Sequence, residues 1–256
     1  MKHTTKTLIA ASALACSLPL AADNHEGGDD YMLAIHHVHV KVGDMPAFRE
    51  GMKAYVECYA ENGGEDGFSV WQALDGDRTG FHIVGRFDAW AEFGEEDPTD
   101  EKCWGNDEIR KGVFDHMSSW ETMYAKRMPA WSGDASNYSI VKLHNFRVDE
   151  GSDFRALVGE ITGYMSEAEY AHQGTWYDVQ GGRYWDPDYF VVEHFENFAA
   201  MDADRQGAYG VVREAVGEER ADQLWEDFGD TLEEEGGYWS FTLVRQGEMG
   251  YEPEED

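Results

Sequence analysis

The sequence predicts an α+β fold built from two β-α-β-β-α-β units in tandem. Two observations support this prediction. First, the chain of 256 residues repeats one pattern of apolar and aromatic positions, so that Arg49 and Arg155 stand 106 positions apart in matching surroundings. Second, each copy begins with a β-rich segment, continues into a segment with apolar residues at helical spacing, and then returns to two β-rich segments.

The repeat extends over most of the chain and keeps its order throughout. Residues 31–64 align with residues 137–170. The aligned pairs are, in order, Val42 with Val148, Phe48 with Phe154, Arg49 with Arg155, Trp71 with Trp176, Phe87 with Phe195 and Trp120 with Trp225. The offset drifts by only a few residues and the identity is low, which indicates an ancient duplication or a shared pattern and not a recent copy.

The first unit opens with a strand over 32–42. Asp44 then supplies a predicted N-cap with Pro46 in the first helical turn, and Asn62-Gly63-Gly64 ends the helix. The remaining predicted elements are strands at 68–74 and 80–87, a short helix at 88–94 and a longer helix at about 107–128.

The second unit repeats this order. Its predicted elements are a strand at 138–148, a helix with the apolar stripe Phe154, Leu157, Val158, Ile161 and Met165, strands at 173–179 and 188–195, a short helix at 196–203, a helix at 207–233 with a break near Gly217, and a last strand at 238–244. Strand 138–148 is expected to close the first unit and open the second, which gives seven strands. The order is that of the split, ferredoxin-like motif.

The first 22 residues have the layout of a secretory signal peptide. Lys2 and Lys6 precede a short apolar run, and small residues lead to a predicted cleavage after Ala22. The alternative is a lipoprotein anchored through Cys16. We expect a periplasmic or secreted protein with a linker at 23–30, unit 1 at 31–136, unit 2 at 137–247 and an acidic tail at 248–256. No other segment is apolar enough to cross a membrane.

The chain is strongly acidic, with 52 Asp and Glu against 20 Lys and Arg and a net charge of −32. Removal of residues 1–22 takes away two lysines and no acids, which leaves 20 − 2 = 18 basic residues and a charge of 18 − 52 = −34. Such a surface argues against binding to nucleic acid or to anionic lipid. Beyond the leader there are two cysteines, Cys58 and Cys103; an oxidising compartment favours a disulfide, and the sequence leaves this pairing open.

The order of elements resembles a known group of folds. Two ferredoxin-like units with the pattern F-D/E-x-W/F-x-x-F/M after the third strand, at "FDAWAEF" and "FENFAAM", resemble the dimeric α/β-barrel superfamily. That superfamily includes antibiotic-biosynthesis-type monooxygenases, haem-degrading enzymes, chlorite-dismutase-like proteins and stress-responsive barrel proteins. The resemblance implies two sheets that face each other with helices outside, here as an intramolecular α/β barrel formed by one polypeptide.

The stretch "IHHVHV" at 35–40 holds the most suggestive side chains. Alternation along a strand puts His37 and His39 on one face, and the more uniformly apolar face that includes His36 should pack under the helices. His37 and His39 are therefore predicted to face the barrel interior, where His82 of the third strand is available as a third histidine. Three readings stay open for this trio: polar lining of a cavity, acid–base catalysis or hydrogen bonding to a substrate, and a metal site.

Other residues are candidates to contact a ligand. The predicted ligand-binding residues are Trp71, Arg86, Asn145, Trp176, His194 and Trp239. His116 lies in the predicted helix 107–128, and because haem-handling members of the superfamily use a helix histidine on iron, the resemblance makes it a candidate haem ligand.

The sequence lacks the nucleophile elbow G-x-S-x-G, the Walker loop, the Rossmann glycine pattern and H-E-x-x-H. Three functions remain. The first is a cavity for a small, largely apolar organic molecule, with an enzymatic version that resembles the cofactor-independent monooxygenases. The second is a haem- or metal-binding barrel. The third is a non-catalytic stress or interaction protein. We expect a small-molecule partner and no cofactor, with haem or a divalent metal as alternatives, and further pairing of barrels stays open.

Overall fold

The computed structural model describes residues 30–95, 97–133 and 138–253. The elements of the first half are β1 (Met32–Val40), α1 (Met45–Glu61), β2 (Phe68–Ala73), β3 (Gly80–Phe87), α2 (Pro98–Trp104), α3 (Asp107–Phe114) and β4 (Met117–Arg127). Those of the second half are β5 (Ile140–Phe146), α4 (Gly151–Glu167), β6 (Thr175–Gly181), β7 (Tyr189–Phe195), α5 (Phe198–Met201), α6 (Ala208–Val216), α7 (Glu218–Asp230) and β8 (Tyr238–Arg245). The predicted signal peptide lies outside the described residues.

The eight strands close into one antiparallel barrel in the order β1-β3-β2-β8-β5-β7-β6-β4. Each half contributes four neighbouring strands, in the order β4-β1-β3-β2 and β8-β5-β7-β6. If the four strands of each half are numbered in chain order, both halves have the order 4-1-3-2. The α+β class and the intramolecular barrel of two ferredoxin-like units are therefore confirmed.

The two four-stranded sheets join along two seams. In one seam β2 pairs with β8, with Trp71 opposite Arg245. In the other β4 pairs with β6, with Arg127 opposite Tyr177. Because each sheet edge is paired with an edge of the other half, the barrel leaves no long strand edge unpaired.

The prediction of one helix over 107–128 is wrong beyond Phe114. Helix α3 ends there, and residues Met117–Arg127 form β4, so the barrel has eight strands where seven were predicted. The reason is that Trp120 and Tyr124, four residues apart, share one face of a strand as well as one face of a helix. The match of Trp120 with Trp225 is also wrong, because Trp225 lies in α7.

Helix α1 begins and ends where the sequence predicts. Asp44 occupies the N-cap position without a side-chain capping bond, because its carboxylate contacts the imidazole of His116 at 3.1 Å. The helix ends at Asn62, and Gly63 follows with φ +73°, a conformation that glycine adopts without strain. In the second half the predicted break is also confirmed, because α6 ends at Val216 and Gly217 has φ +86°.

Helices cover the outer faces of both sheets. Under α1, outward side chains of β1, β2 and β3 form a buried cluster with the helix: Val38, Val40, Phe48, Met52, Val70, Phe81 and Ile83. Under α4 the corresponding cluster is Phe146, Phe154, Val158, Trp176 and Tyr189. Trp176 therefore packs under α4, and its prediction as a lining residue of the barrel interior is wrong.

A disulfide joins Cys58 of α1 to Cys103 of α2, which settles the pairing that the sequence left open. Cys103 is fully buried, in a cluster with Tyr55, Tyr59 and Ile109. Among the helices of the described ranges, none combines the length and the apolar character that crossing a membrane requires.

Candidate functional site at the histidine end of the barrel

The barrel interior has an apolar middle. Side chains from all the strands except β3 form one buried cluster there: Ile35, Trp71, Met123, Ala125, Val141, Leu143, Tyr177, Phe190 and Leu243. An eight-stranded barrel is just wide enough to be filled by its own side chains, which is what this cluster does. Polar groups gather at the two ends of the interior, and the candidate sites lie there.

Strand β1 alternates as predicted. Ile35 belongs to the interior cluster, while Val38 and Val40 pack under α1, so His37 and His39 share the interior face. His36 lies on the helix side, where its Nδ1 contacts Thr122 Oγ1 at 2.8 Å and its ring lies 4.9 Å from that of Trp120.

The histidine end is defined by His37, His82, Glu121 and Arg183. His37 and His82 are directly opposite each other in the β1–β3 pairing, with ring centroids 4.7 Å apart. On its other side the ring of His82 stacks on Phe241 at 5.5 Å. Two imidazoles and one phenyl ring thus form a continuous aromatic surface in this part of the interior.

Both imidazoles are held in the neutral form. Burial, together with the positive charge of Arg183, lowers the pKa of His37 to about 4. Burial also holds the pKa of His82 well below its usual value, with smaller contributions from His37, His39 and Arg183. A neutral imidazole keeps a lone pair on one nitrogen, so each ring is able to accept a hydrogen bond near pH 7.

The Nε2 atom of His37 is buried and has no hydrogen-bond partner among the described residues. An unsatisfied buried polar atom costs about 1–3 kcal/mol, so native proteins keep few of them. Such an atom often marks the place where a bound molecule or water supplies the missing partner.

An arginine from the hairpin loop between β6 and β7 borders this end. Arg183 contacts the carboxylate of Glu121, which stands opposite His37 in the β1–β4 pairing. Its guanidinium also bonds Asp186 Oδ1 at 2.6 Å, and Asp186 is almost completely buried. The loop therefore brings one cation and one carboxylate, that of Asp186, to the histidine pair, where they join Glu121 of β4. Arg183, Asp186 and Glu121 were not predicted from the sequence, because their positions depend on strand pairing across the barrel.

His39 lies at the rim, away from this pair. Its Nδ1 contacts Asp77 Oδ2 at 3.0 Å, and its side chain is 39% exposed. Within the described ranges, no group of three or more histidine, cysteine, aspartate or glutamate side chains is arranged to hold a metal ion. The metal site predicted from His37, His39 and His82 is therefore not assembled.

His116 does not fit the role of a haem ligand. It lies in the turn between α3 and β4, where Nδ1 contacts Asp44 Oδ2, and not in a helix. It lines neither the surface cleft beside the carboxyl end of α1 nor the one between the first turns of α1 and the end of β8. We therefore assign it the role of a structural partner of Asp44 at the start of α1.

The other predicted ligand contacts divide between the two ends. At the end opposite the histidines, the ring of Tyr138 lies 5.8 Å from Trp71 and 4.4 Å from His194. Nearby, the guanidinium of Arg86 lies 3.8 Å over the ring of Tyr31. These side chains form a second polar and aromatic cluster of the interior.

Asn145 and Trp239 face each other across the β5–β8 pairing. Asn145 is buried, and its Nδ2 donates to the carbonyl of Trp239 at 3.4 Å. Trp239 shares the interior face of β8 with Phe241, so it belongs to the same end of the barrel as the histidines.

A cleft of about 660 Å³ lies outside the barrel, beside the carboxyl end of α1. Its floor includes His36 and Gly85, and its walls include Tyr55 and Tyr59, whose hydroxyls donate to Asp100 and Asp97. Further carboxylates at the rim come from Glu65, Asp66, Glu92 and Glu95. These negative charges oppose the binding of an anionic group such as haem propionate.

Comparison with known proteins shows the fold only. No family model matches the sequence, and no curated protein shows significant similarity to it. An anthrone oxidase-like protein of solved structure aligns with a TM-score of 0.51 and 9% identity, over 88% of this chain and 94% of that one. A chlorite dismutase variant from Candidatus Nitrospira defluvii, in complex with cyanide, aligns with a TM-score of 0.51 and 10% identity, over 86% and 92%. The shared architecture is the ferredoxin-like, dimeric α/β-barrel type.

Proposed function

We propose that the histidine end of the barrel binds a small aromatic molecule with an acidic hydroxyl and takes its proton onto Nε2 of His37. The observation that carries this proposal is the buried Nε2 atom without a hydrogen-bond partner in the described chain. A hydroxyl that donates to this atom would remove the unsatisfied group and place the acidic proton on a neutral base.

The surroundings favour an aromatic molecule. His82 and Phe241 offer stacked ring faces beside His37, and Trp239 adds a further aromatic side chain on the interior face of β8. Aromatic rings pack against such faces at centroid distances of about 4.5–7 Å. The polar groups at this end, among them His37, Glu121 and Arg183, orient the molecule.

The charge of Arg183 favours the anion that deprotonation forms. The same positive charge that disfavours protonated His37 stabilises a phenolate or enolate in its place. Glu121 and Asp186 hold the guanidinium beside the histidine pair. His37 thus acts as the proton acceptor, and Arg183 orients and stabilises the product of the proton transfer.

In the enzymatic version of this proposal, the bound anion reacts with dioxygen without a cofactor. A substrate with an activated methylene group supplies the electrons. One oxygen atom enters the product as a carbonyl, the other leaves as water, and the substrate loses two C–H bonds. The anthrone oxidase-like protein with the same architecture supports this reaction class as the one to test first.

The test is a titration with 1-naphthol, followed by isothermal calorimetry and by the absorbance of the naphtholate. Wild-type protein should bind, and His37→Gln should bind at least 10-fold more weakly. His144→Gln is the matched control, because His144 is a strand histidine whose Nδ1 is already bonded to Tyr238. Equal binding by wild type and His37→Gln would overturn the proposal. Oxygen consumption with anthrone then separates an oxygenase from a protein that only binds.

We also propose that the chain is exported. The Cys58–Cys103 disulfide supports this, because such bonds persist mainly in oxidising compartments. Intact mass of the protein from a periplasmic fraction tests it: a chain that starts at Asp23 supports cleavage after Ala22. An acylated chain that starts at Cys16 supports the lipoprotein, and recovery of the full chain from the cytoplasm argues against export.

A further inference from the structure

A second cleft, of about 430 Å³, lies outside the barrel between the first turns of α1 and the end of β8. Three basic residues line it: Arg49, Lys53 and Arg245. Its carboxylates are Glu50 and Glu248, and Glu252 contacts Arg245 from outside the lining, so the three basic groups face three carboxylates. In a chain with 20 basic and 52 acidic residues, this local balance of charge is unusual.

Arg49 is the central residue of this cleft. Its two terminal nitrogens donate to the side-chain oxygens of Gln246 and Gln72, both at 2.5 Å. Its guanidinium also lies 5.4 Å over the ring of Phe81. Within the described residues, no carboxylate lies within 4.0 Å of this guanidinium. A partly buried cation is thus held by neutral acceptors alone.

The second half of the chain shows what neutralises the equivalent arginine. Arg155 stands 106 positions after Arg49, and its guanidinium bonds Asp178 at 2.9 Å. Asp178 in turn stands 106 positions after Gln72. The uncharged amide of unit 1 therefore occupies the place of the carboxylate in unit 2.

A second partner differs in the same way. Arg155 lies over Tyr189 at 5.2 Å and donates from Nε to its hydroxyl at 2.7 Å. Arg49 lies over Phe81, which has no hydroxyl. Unit 1 therefore has the same arginine over an aromatic ring. It lacks the carboxylate and the phenol hydroxyl that bond the arginine in unit 2.

The guanidinium of Arg49 is oriented in advance. The amide of Gln72 also donates to the carbonyl of Arg78 at 2.9 Å, and the amide of Gln246 donates to the carbonyl of Val244 at 3.0 Å. Both side-chain oxygens are therefore fixed toward Arg49. A planar guanidinium held in this way is suited to a carboxylate or phosphate group.

We infer that this cleft is a binding site for a small organic carboxylate, with Arg49 as its principal contact and Lys53 as a second cation. The apolar part of the lining selects an organic anion over an inorganic one, because Met45 and Pro46 offer surface for a hydrocarbon tail. The site is independent of the histidine end, which lies inside the barrel.

A carboxylate of the chain itself competes with the ligand. Lys53 contacts Glu248 at 2.5 Å, and Glu248 lines the same cleft. An incoming carboxylate has to displace this contact from Lys53. Removal of the Glu248 charge should therefore strengthen the binding of the ligand, which a general loss of structure does not do.

The experiment measures hexanoate binding by calorimetry at a constant ionic strength of roughly 0.15 M, where the overall negative charge of the protein is screened. Arg49→Gln should weaken binding at least 10-fold, and Glu248→Gln should tighten it several-fold. Arg155→Gln is the matched control and should leave binding unchanged.

Three results would overturn the inference. They are the absence of hexanoate binding by both wild type and Glu248→Gln, an equal loss of binding in Arg155→Gln, and binding of inorganic phosphate as tight as that of hexanoate. If Arg49→Gln folds poorly, Lys53→Gln is used in its place and should also weaken hexanoate binding. The tighter binding expected for Glu248→Gln tests the inference without either variant.

Discussion

Gly51 of α1 and Gly112 of α3 bring the backbones of the two helices into contact. A Cβ atom on Gly51 would lie 2.1 Å from the carbonyl oxygen of Gly112, and a Cβ atom on Gly112 would lie 3.2 Å from the Cα of Gly51. Real Cβ atoms do not approach a carbonyl oxygen this closely, so neither helix can hold its place if Gly51 gains a side chain.

Gly51→Ala should therefore lower the free energy of unfolding by about 1–3 kcal/mol, because α3 has to move away from α1. Urea unfolding followed by circular dichroism measures this. Gly163→Ala is the control: Gly163 lies inside α4 with open space around it, so the substitution should stabilise the protein by about 0.4–1 kcal/mol. A Gly51→Ala variant as stable as wild type would contradict the close contact.

The Cys58–Cys103 disulfide should contribute to stability. The two cysteines are 45 residues apart in sequence, and a cross-link over such a loop stabilises a fold by about 2–4 kcal/mol. Cys58→Ser should lower the free energy of unfolding by this amount. Dithiothreitol should destabilise wild type to a similar extent and leave Cys58→Ser unchanged. A wild type that is insensitive to reduction would show that the bond is absent or makes no contribution.

Most of the fold follows from periodicity, and the main failure has a physical cause. The strands β1, β2, β3, β6, β7 and β8 and the helices α1 and α4 lie close to their predicted positions because alternation and helical spacing are distinct there. In β4, the spacing of Trp120 and Tyr124 fits the period of a helix and that of a strand, so the local pattern does not distinguish the two. The segment becomes a strand because it pairs with β1 and β6, which are distant in sequence.

The candidate site was predictable in part. Alternation in "IHHVHV" predicts His37 on the interior face and makes His82 of the third strand available as a third histidine, and the His37 and His82 rings are in contact. Trp176 was misplaced because the repeat was aligned there with an offset of 105. The offset of 106 that holds at Arg49 and Arg155 pairs Trp71 with Tyr177, and both of these face the interior. A slip of one residue moves a strand side chain to the opposite face.

Burial of His37 should make stability depend on pH. Its pKa falls from 6.5 to about 4 on folding, so the unfolded chain binds more protons between these values. The neutral ring contributes its full stability above pH 6.5, and this contribution is lost as the pH falls toward 4. The pKa change corresponds to at most about 3 kcal/mol.

The measurement is the difference in unfolding free energy between wild type and His37→Gln at pH 7 and at pH 4.5. The carboxylates contribute equally to both proteins, so their effect cancels in the difference. Acid should destabilise wild type more than His37→Gln. A difference that stays constant over this range would show that the His37 pKa is not depressed.

Arg183 should set part of the low pKa of His37. Its positive charge opposes protonation of the ring, and it also pairs with Asp186, whose negative charge favours protonation. In Arg183→Gln the positive charge is lost and the carboxylate of Asp186 is no longer neutralised. Both changes raise the pKa of His37. The pKa of His37 should rise from about 4 toward the usual 6.5. Nuclear magnetic resonance titration of the imidazole C–H signals measures this rise.

His194 supplies the reference signal in the same sample. Burial lowers its pKa to about 4 as well, with an opposing contribution from Glu193, and Arg183 has no part in it. The His37 signal should move in Arg183→Gln, with a smaller shift of His82, whose pKa Arg183 also lowers, and the His194 signal should stay in place. If the His37 and His194 signals move together, the variant has loosened the whole barrel; if neither moves, burial alone depresses the pKa of His37. In that last case Arg183 is not the group that stabilises a bound anion, and the proton-acceptor role rests on the geometry of His37 and His82 alone.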